Sequence, residues 1–281
     1  EMSVIPWADD RDKYISGALI AGKKALSDSP LAGADTLPGD FIDLMMSLTP
    51  SEIARYTALG ADTGSAVEAA TRAVRPGMTE NEIAGRLARE CYDRNIVPIV
   101  ALIAADARLT SYRHPIPTEN KVEKTAMVVV CGRRKGLIAS ATRIVSAGPV
   151  SDDLRRRHDV CALVDVAFNA STRPGVPIAD VFNAGVKAYT DGGYKDEWLL
   201  HHQGGPTGYR SRYYTAHSAT PGLVAPNSAF AWNPSVTGTK TEDTIITLEN
   251  AVKFITHTGG WPYLKMGFGG VDYERPDILI L

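Results

Sequence analysis

Two adjacent histidines precede a glycine pair in the segment 199–205, LLHHQGG, and this pattern suits either a metal ligand or a catalytic turn. His114 lies in a Pro-rich segment, RHPIP, and the pair Glu242 and Asp243 directly precedes a β-branched segment. A near-neutral imidazole can take a proton from water and give one to a leaving nitrogen. Alone, an acidic pair in a turn or a histidine in a loop is more often structural, so the elements that position these residues decide their role.

Basic residues cluster around the same segments of the sequence. They are Arg133, Arg134, Lys135, Arg143, Arg210, Arg212 and Lys240. Solvated loop charges would account for them equally well. If two or three of these side chains point inward, they favour a small substrate that carries a carboxylate, since arginine binds carboxylates through paired hydrogen bonds.

Composition excludes several classes of protein. The 281 residues are 44% apolar with a net charge of −2, which is typical of a folded chain with a sizeable core and gives no global attraction to nucleic acid or an anionic membrane. Cys91, Cys131 and Cys161 stand too far apart to indicate a disulfide framework or a zinc knuckle. No segment has the pattern of a signal peptide or a membrane span, so a cytoplasmic protein is expected.

Capping signals mark the first helices. The alanine-rich segment 49–74 is a helix candidate with Thr49 or Ser51 near its N-cap. The next helix opens with a capping box formed by Thr79 and Glu82.

The same order then recurs along the chain. Segments 151–171 and 177–194 are predicted to be helices, and an Arg-Pro-Gly break separates the two helices of each half, at 75–77 and at 173–175. A tripeptide that returns in matching context indicates an internal duplication.

Strand candidates follow each pair of helices. They are segments 96–105, 126–132, 136–145, 229–234, 243–249 and 251–256. Helices that precede strands in two similar halves predict an α+β protein with a curved, mainly antiparallel sheet covered by helices on one face. The open face, or the seam between the halves, is the expected pocket.

Six motifs, RPGMTENEIA, RHPIP, GLIASATR, HHQGG, AWNPS and GTKTEDT, resemble the pita-bread superfamily in order and spacing. This is the creatinase, prolidase and aminopeptidase P family, and the resemblance covers residues 49–260. It implies a pita-bread fold of two pseudo-symmetric halves, with residues 1–48 as an N-terminal extension or the tail of an N-terminal domain and residues 49–281 as the catalytic-type domain. Family members often dimerise, so a homodimer is expected.

The metallopeptidases of this superfamily hold two divalent ions with two Asp, one His and two Glu. The family pattern G-Y-x-x-D-x-T-R falls on GLIASATR, which places Ser140 at one Asp position. The other Asp position falls on Val129 or, with a small gap, on Cys131. The pattern H-G-x-G falls on HQGG and keeps His202.

The two glutamate positions complete the comparison. The pattern E-P-G falls on NPS, which places Asn233 at the first Glu, whereas R-x-E-D falls on KTED and keeps Glu242. Without most of the carboxylates that make two adjacent cations tolerable, no metal and no cofactor is expected. A single zinc on the retained histidine and glutamate, with Cys131 or His201, is the weaker alternative.

Creatinase hydrolyses a C–N bond on this fold without metal, with a histidine as acid and base. His114 resembles that histidine in position, and His202 and Glu242 are the other predicted catalytic residues, with Glu242 orienting His202 or binding a cationic part of the substrate. Asn233, in place of a carboxylate, would make the pocket less negative and could donate to an oxyanion. The predicted substrate-binding residues are Ser140, Arg143, Tyr209, Arg210, Trp232, Asn233 and Lys240.

The leading hypothesis is a metal-independent, creatinase-like hydrolase, or a related acid/base enzyme, that acts on a C–N bond of a small molecule bearing a carboxylate. The alternatives are a non-catalytic pita-bread module that binds a peptide or a small molecule, and a metal-dependent Xaa-Pro aminopeptidase. Convergence of His114, His202 and Glu242 would favour an enzyme, whereas splayed side chains beside an apolar groove would favour binding.

Overall fold

The computed structural model of the chain describes residues 3–249 and 251–281. Two units are distinguished, one ending at Met45 and one beginning at Met46. Short elements precede the boundary: helical segments Arg11–Tyr14 and Ile15–Ile20, and the paired parallel strands Leu26–Ser27 and Asp35–Thr36. The helix Asp40–Met46 crosses it. A domain boundary at residue 48 stays a prediction.

The second unit carries the predicted helices and strands. Its helices are α1 (Pro50–Arg72), α2 (Glu80–Tyr92), α3 (Ala107–Ser111), α4 (Asp152–Ser171) and α5 (Ile178–Asp191), with a 3₁₀ turn at Glu197–Leu200. Its strands are β1 (Val97–Ala105), β2 (Thr125–Arg134), β3 (Leu137–Ser146), β4 (Gly204–Thr207), β5 (Ala229–Trp232), β6 (Ser235–Val236), β7 (Thr239–Lys240), β8 (Asp243–Thr247), β9 (Val252–Phe254), β10 (Tyr263–Phe268), β11 (Val271–Pro276) and β12 (Ile278–Ile280). Among residues 3–249 and 251–281, no helix is long and apolar enough to cross a membrane.

Capping boxes begin the first two long helices; the one at α2 was predicted, and the one at α1 adds Glu52 to the predicted N-cap. Thr49, rather than Ser51, is the N-cap of α1, and its hydroxyl accepts from the Glu52 amide while the Glu52 carboxylate accepts from the Thr49 amide. Thr79 and Glu82 make the same reciprocal pair at α2. Each box satisfies two amides that the first turn of a helix leaves without partners.

Two four-stranded sheets follow the helix pairs. The first has the order β12-β3-β2-β1 and the second β9-β8-β5-β4, and every neighbouring pair within them is antiparallel except β12 with β3. The sheets meet where Thr142 of β3 bridges Glu242 and where the Ser140 amide donates to Thr244 Oγ1 at 2.7 Å. The predicted α+β pita-bread fold with a mainly antiparallel sheet is confirmed.

The two Arg-Pro-Gly breaks have the same local structure in both halves. Gly77 and Gly175 have φ of +91° and +85°, a left-handed conformation that glycine adopts without steric cost. The Gly77 amide donates to the Val122 carbonyl at 2.8 Å, and the Gly175 amide donates to the Val224 carbonyl at 2.9 Å. Each valine amide in turn donates to the residue after the glycine. The repeated pair of hydrogen bonds supports the predicted duplication.

Strand alternation gives the β2–β3 hairpin two different faces. One face packs with α1 and α2 through Val128, Val130, Ala139 and Ala141. The opposite face carries Val129, Cys131, Ser140 and Thr142, with Cys131 paired to Ser140 and Val129 paired to Thr142 in the register. Because Val129 belongs to a separate apolar cluster, Cys131 is the residue that stands beside Ser140.

The buried imidazole of His158 joins α4 to two later segments. Its Nδ1 accepts from the Thr239 hydroxyl at 2.7 Å, and its Nε2–H donates to the Pro276 carbonyl at 3.1 Å. The proton is placed on Nε2 because a carbonyl can only accept. Burial lowers the pKa of His158 from 6.5 to about 4.

We expect His158 to make the fold sensitive to acid. Above pH 6.5 both folded and unfolded chains keep it neutral, but as the pH falls toward about 4 only the unfolded chain binds the proton. The free energy of unfolding therefore falls by up to about 1.4 kcal/mol per pH unit in this window. His158→Gln removes this titrating group. In urea titrations, the free energy of unfolding of the wild type should therefore fall relative to that of the variant as the pH drops below 6.5. A difference that stays constant with pH would contradict this.

Candidate active site

His114 lies in the loop after α3, and contacts on both of its sides fix this loop. The Pro115 carbonyl accepts from the Ile103 amide of β1 at 3.1 Å. On the other side, Arg113 Nη2 donates to Glu197 Oε2 at 2.7 Å. The loop of the first half is therefore tied to the 3₁₀ turn that begins at Glu197 in the second half.

Three imidazole rings converge at this place. His114 and His202 stack with ring centroids 5.5 Å apart and planes 16° apart, and His201 meets the ring of His114 edge-on at 5.6 Å. His201 is further held by Ser235 of β6, whose Oγ lies 2.7 Å from Nε2. The structure thus brings together the two histidines that were predicted to be catalytic.

Glu242, the third predicted catalytic residue, is buried and held by two cations. Arg212 Nη2 donates to Glu242 Oε1 at 3.0 Å. Thr142 Oγ1 donates to Glu242 Oε2 at 3.0 Å, and Lys240 Nζ lies 3.6 Å from the same oxygen. Burial acts to raise the pKa of Glu242, but the charges of Lys240 and Arg212 bring it below its usual range. The carboxylate is ionised, and it binds these cations rather than the ring of His202.

The histidines of this cluster are neutral at physiological pH. Desolvation lowers the pKa of His114, and the nearby charge of Lys240 lowers it further. The pKa of His202 is lowered by the same desolvation and by Arg212 and Lys240. His114 and His202 are exposed to solvent, whereas Lys240 and Glu242 are buried.

The remaining polar groups of the pocket are short and uncharged. Cys131 Sγ lies 3.2 Å from Ser140 Oγ, and both residues are buried. The Asn233 carbonyl accepts from Lys240 Nζ at 3.4 Å, while its buried Oδ1 has no hydrogen-bond partner among residues 3–249 and 251–281. This part of the pocket offers a thiol, a hydroxyl and an amide where a metal centre would need carboxylates.

The family model Metallopeptidase family M24 matches residues 55–274. The chain belongs to metallopeptidase family M24. A curated relative, the Xaa-Pro dipeptidase of Lactobacillus helveticus, is 24% identical over 225 residues, which are 76% of this chain and 61% of that protein. An uncharacterized peptidase of Staphylococcus haemolyticus is 23% identical over 68% of this chain and 57% of its own length. The M24 chain therefore spans about three fifths of the length of these relatives.

Solved structures share the fold. A prolidase from Pyrococcus furiosus superimposes with a TM-score of 0.74 at 17% identity, covering 80% of this chain and 69% of that one. A dipeptidase from Mycobacterium ulcerans gives a TM-score of 0.78 at 19% identity, covering 98% and 76%. At this level of identity the likeness establishes the architecture of this M24 protein and leaves its chemistry to the site.

The residues of this M24 pocket do not fit the two-metal centre that the family name implies. Glu242 has both oxygens engaged, and Arg212 and Lys240 place two positive charges where divalent ions would have to bind. Such ions repel each other and need several carboxylates to be held together. In the described part of the chain, no group of three or more His, Cys, Asp or Glu side chains could hold a metal ion.

A single zinc fits the pocket no better. Burial raises the pKa of Cys131, so its thiol stays protonated, and only a thiolate binds zinc well. His201 already uses Nε2 on Ser235. The weaker alternative, a zinc on His202 and Glu242 with Cys131 or His201, therefore lacks a donor set.

Asp243 faces the other side of the sheet from Glu242 and holds the core beneath the site. It accepts from Arg143 Nη2 at 3.1 Å, from Arg275 Nη2 at 2.9 Å and from Thr256 Oγ1 at 2.7 Å. Burial acts to raise the pKa of Asp243, but the two arginines bring it far below its usual range. The carboxylate is ionised and links three segments that surround the pocket.

Two of the predicted substrate-binding residues belong to the core instead. Arg143 follows Thr142 on β3 and therefore faces the opposite side of the sheet, toward Glu68 of α1. Trp232 stacks on Phe168 with ring centroids 4.6 Å apart and is fully buried. The structure brings neither side chain to the histidines.

Two further candidates lie outside the cluster. The Tyr209 hydroxyl donates to Glu52 and accepts from Arg55, so this ring is tied to the start of α1. Arg210 is exposed, and its backbone carbonyl accepts from Thr207 Oγ1 at 3.0 Å. Of the predicted substrate-binding residues, Ser140, Asn233 and Lys240 are the ones that the structure gathers in the pocket.

Some site residues escaped the sequence analysis. Thr142 could have been found, because residues two apart on a strand share a face with each other, here with Ser140. The basic character of Arg212 does not by itself indicate its pairing with Glu242, and no sequence signal pairs Arg113 with Glu197, 84 positions away.

Replacing the buried carboxylate beneath the site should destabilise the fold strongly. Asp243→Asn keeps the shape but leaves Arg143 and Arg275 with too little negative charge, and we expect a loss of about 3–5 kcal/mol in the free energy of unfolding. The matched control is Asp153→Asn, which breaks surface pairs with Arg156 and Arg157 and should leave the free energy of unfolding nearly unchanged. Urea unfolding of both variants checks this, and equal losses would contradict it.

Proposed function

We propose that the chain is a metal-independent hydrolase that cleaves a C–N bond in a small molecule bearing a carboxylate. The observation that carries the proposal is that Arg212 and Lys240 form ion pairs with Glu242 beside the neutral rings of His114 and His202. Membership of a peptidase family supports C–N hydrolysis as the reaction class. The homodimer and the cytoplasmic location stay predictions.

His114 is the proposed acid and base. It takes a proton from water as the water oxygen bonds to the substrate carbon, and it returns that proton to the nitrogen as the C–N bond breaks. Its lowered pKa supports this role, because the ring is in the proton-accepting form at neutral pH. Asn233 lies beside Lys240 and is the proposed amide donor to the oxyanion of the intermediate.

The charge of the pocket supports an anionic substrate. Arg212 and Lys240 together exceed the single charge of Glu242, and the surrounding histidines are neutral. The buried Nε of Arg212 has no hydrogen-bond partner in the described residues. A carboxylate of the substrate would balance the excess positive charge and accept from this guanidinium.

Turnover should survive chelation and depend on His114. The substrates to test are Xaa-Pro dipeptides, suggested by the name of the Lactobacillus helveticus relative, together with N-acyl, ureido and guanidino acids. We expect EDTA to leave kcat unchanged and His114→Gln to lower kcat by about 10²–10⁴-fold, as is usual for loss of a general acid and base.

His217→Gln is the matched control, because His217 is exposed and its ring is not one of the three that contact each other in the cluster. Turnover that disappears on chelation and returns with zinc or manganese would establish a metal-dependent Xaa-Pro peptidase instead. Saturable binding of a peptide without turnover would establish a binding module.

Arg212 should discriminate between substrates by charge. Arg212→Gln is expected to raise KM by roughly 10–100-fold for a carboxylate substrate, since a hydrogen bond to a charged group contributes about 1.5–3 kcal/mol. The KM of the neutral carboxamide analogue should change little. Steady-state kinetics with both compounds measure this, with the surface variant Arg156→Gln as control. An equal rise in KM for both compounds would argue against a carboxylate at Arg212.

A further inference from the structure

Arg113, Glu197 and Thr237 form a closed set of hydrogen bonds, here called the clamp, between the two halves of the fold. Arg113 Nη2 donates to Glu197 Oε2 and to Thr237 Oγ1, each at 2.7 Å. Thr237 donates from its amide to Glu197 Oε2 at 3.0 Å and from its hydroxyl to Glu197 Oε1 at 2.7 Å. The side chains of Arg113 and Glu197 are only 13% and 16% exposed, so solvent competes weakly for this ion pair.

Each member of the clamp stands next to a different part of the site. Arg113 directly precedes His114 in the chain. Glu197 begins the 3₁₀ turn that ends immediately before His201. Thr237 lies in the turn between β6 and β7, the hairpin that also carries Ser235 and Lys240.

The two catalytic rings depend on their backbones for alignment. In the part of the chain that the structure describes, no side-chain hydrogen bond of its own holds either His114 or His202, and the two rings meet only by stacking. Their relative position is therefore set by the segments that carry them. The clamp is the polar contact that joins those two segments directly.

We propose that the clamp is a positioning device, in which Arg113 and Glu197 hold His114 against His202 across the seam between the halves. Neither residue touches the substrate in this arrangement; both act through the loop and the turn that bear the histidines. The kinetic part of the test rests on the proposed function, whereas the spectroscopic part does not.

The kinetic test compares Arg113→Ala, Glu197→Ala and the double variant. Each single change is expected to lower kcat by about 100-fold with little change in KM, because a displacement of about 1 Å of a catalytic group costs roughly that factor while Arg212 still binds the substrate. The double variant should be no slower than the slower single variant, because both residues act through one contact.

Arg155→Ala is the matched control. It removes one partner of another partly buried pair, with Asp277 at 2.6 Å, which lies between α4 and the segment before β12. It should lose thermal stability as the clamp variants do and keep its kcat. Thr237→Val keeps the shape of the clamp without its hydroxyl and is the replacement test if an alanine variant does not fold. It is expected to lower kcat by a smaller factor than the alanine variants.

The spectroscopic test uses protein labelled at histidine. The wild type should show an NOE between ring protons of His114 and His202, with the resonances assigned from His114→Gln and His202→Gln. In Arg113→Ala and in Thr237→Val that NOE should weaken or disappear while the rest of the spectrum stays folded. This measurement needs no substrate, so it remains decisive even if no turnover is found.

A folded Arg113→Ala variant that keeps both the ring NOE and the wild-type kcat would overturn the proposal. A double variant whose fold-loss in kcat equals the product of the two single losses would also overturn it. That result would show that Arg113 and Glu197 act separately. Loss of the NOE together with non-additive losses of kcat would support it.

Discussion

The site and the core beneath it depend on a single constraint, the burial of two adjacent carboxylates at the start of β8. Glu242 and Asp243 point to opposite sides of the sheet, as successive strand residues must. A buried carboxylate is tolerated only when it is paired and hydrogen-bonded. Glu242 is therefore paired with Arg212 and Lys240 on the side of the pocket, and Asp243 with Arg143 and Arg275 on the side of the helices. These pairs fix where every neighbouring segment lies.

The same pairing reverses the electrostatics expected of an M24 protein. A pocket rich in carboxylates attracts divalent cations, whereas this one has a single carboxylate and two fixed cations. Their positive charge, added to desolvation, keeps His114 and His202 neutral. The arrangement that opposes metal binding is thus also the arrangement that leaves imidazoles free to accept protons. The poor fit of the site to divalent ions and the neutral state of the imidazoles share a physical cause, the positive charge of Arg212 and Lys240.

Sequence patterns predicted the elements well and the side-chain directions less well. The N-cap signals at Thr49 and Thr79 and the β-branched runs act locally, so the long helices and six of the sheet strands could be placed from the sequence, whereas β4 and β12 were not predicted. The basic character of Arg143 suggested a place in the pocket. Arg143 is three positions from Ser140 on the same strand, however, so the two side chains face opposite sides of the sheet. The β10–β11 hairpin was not predicted, and the partners of Arg113 and Arg212 could not be, because ion pairs between distant segments leave no periodic signal.

Direct contacts between side chains connect the two halves of the fold at the seam. The positions that the resemblance assigns to metal ligands come from both halves, Cys131 and Ser140 from the first, and His202, Asn233 and Glu242 from the second. Ions bound there would cross-link the halves. In this chain the halves also meet at the seam through direct contacts: Thr142 with Glu242, and Arg113 with Glu197. Under the proposed metal-independent function, these contacts take the place of the ions in holding the two halves together, and the order of the pocket depends on them.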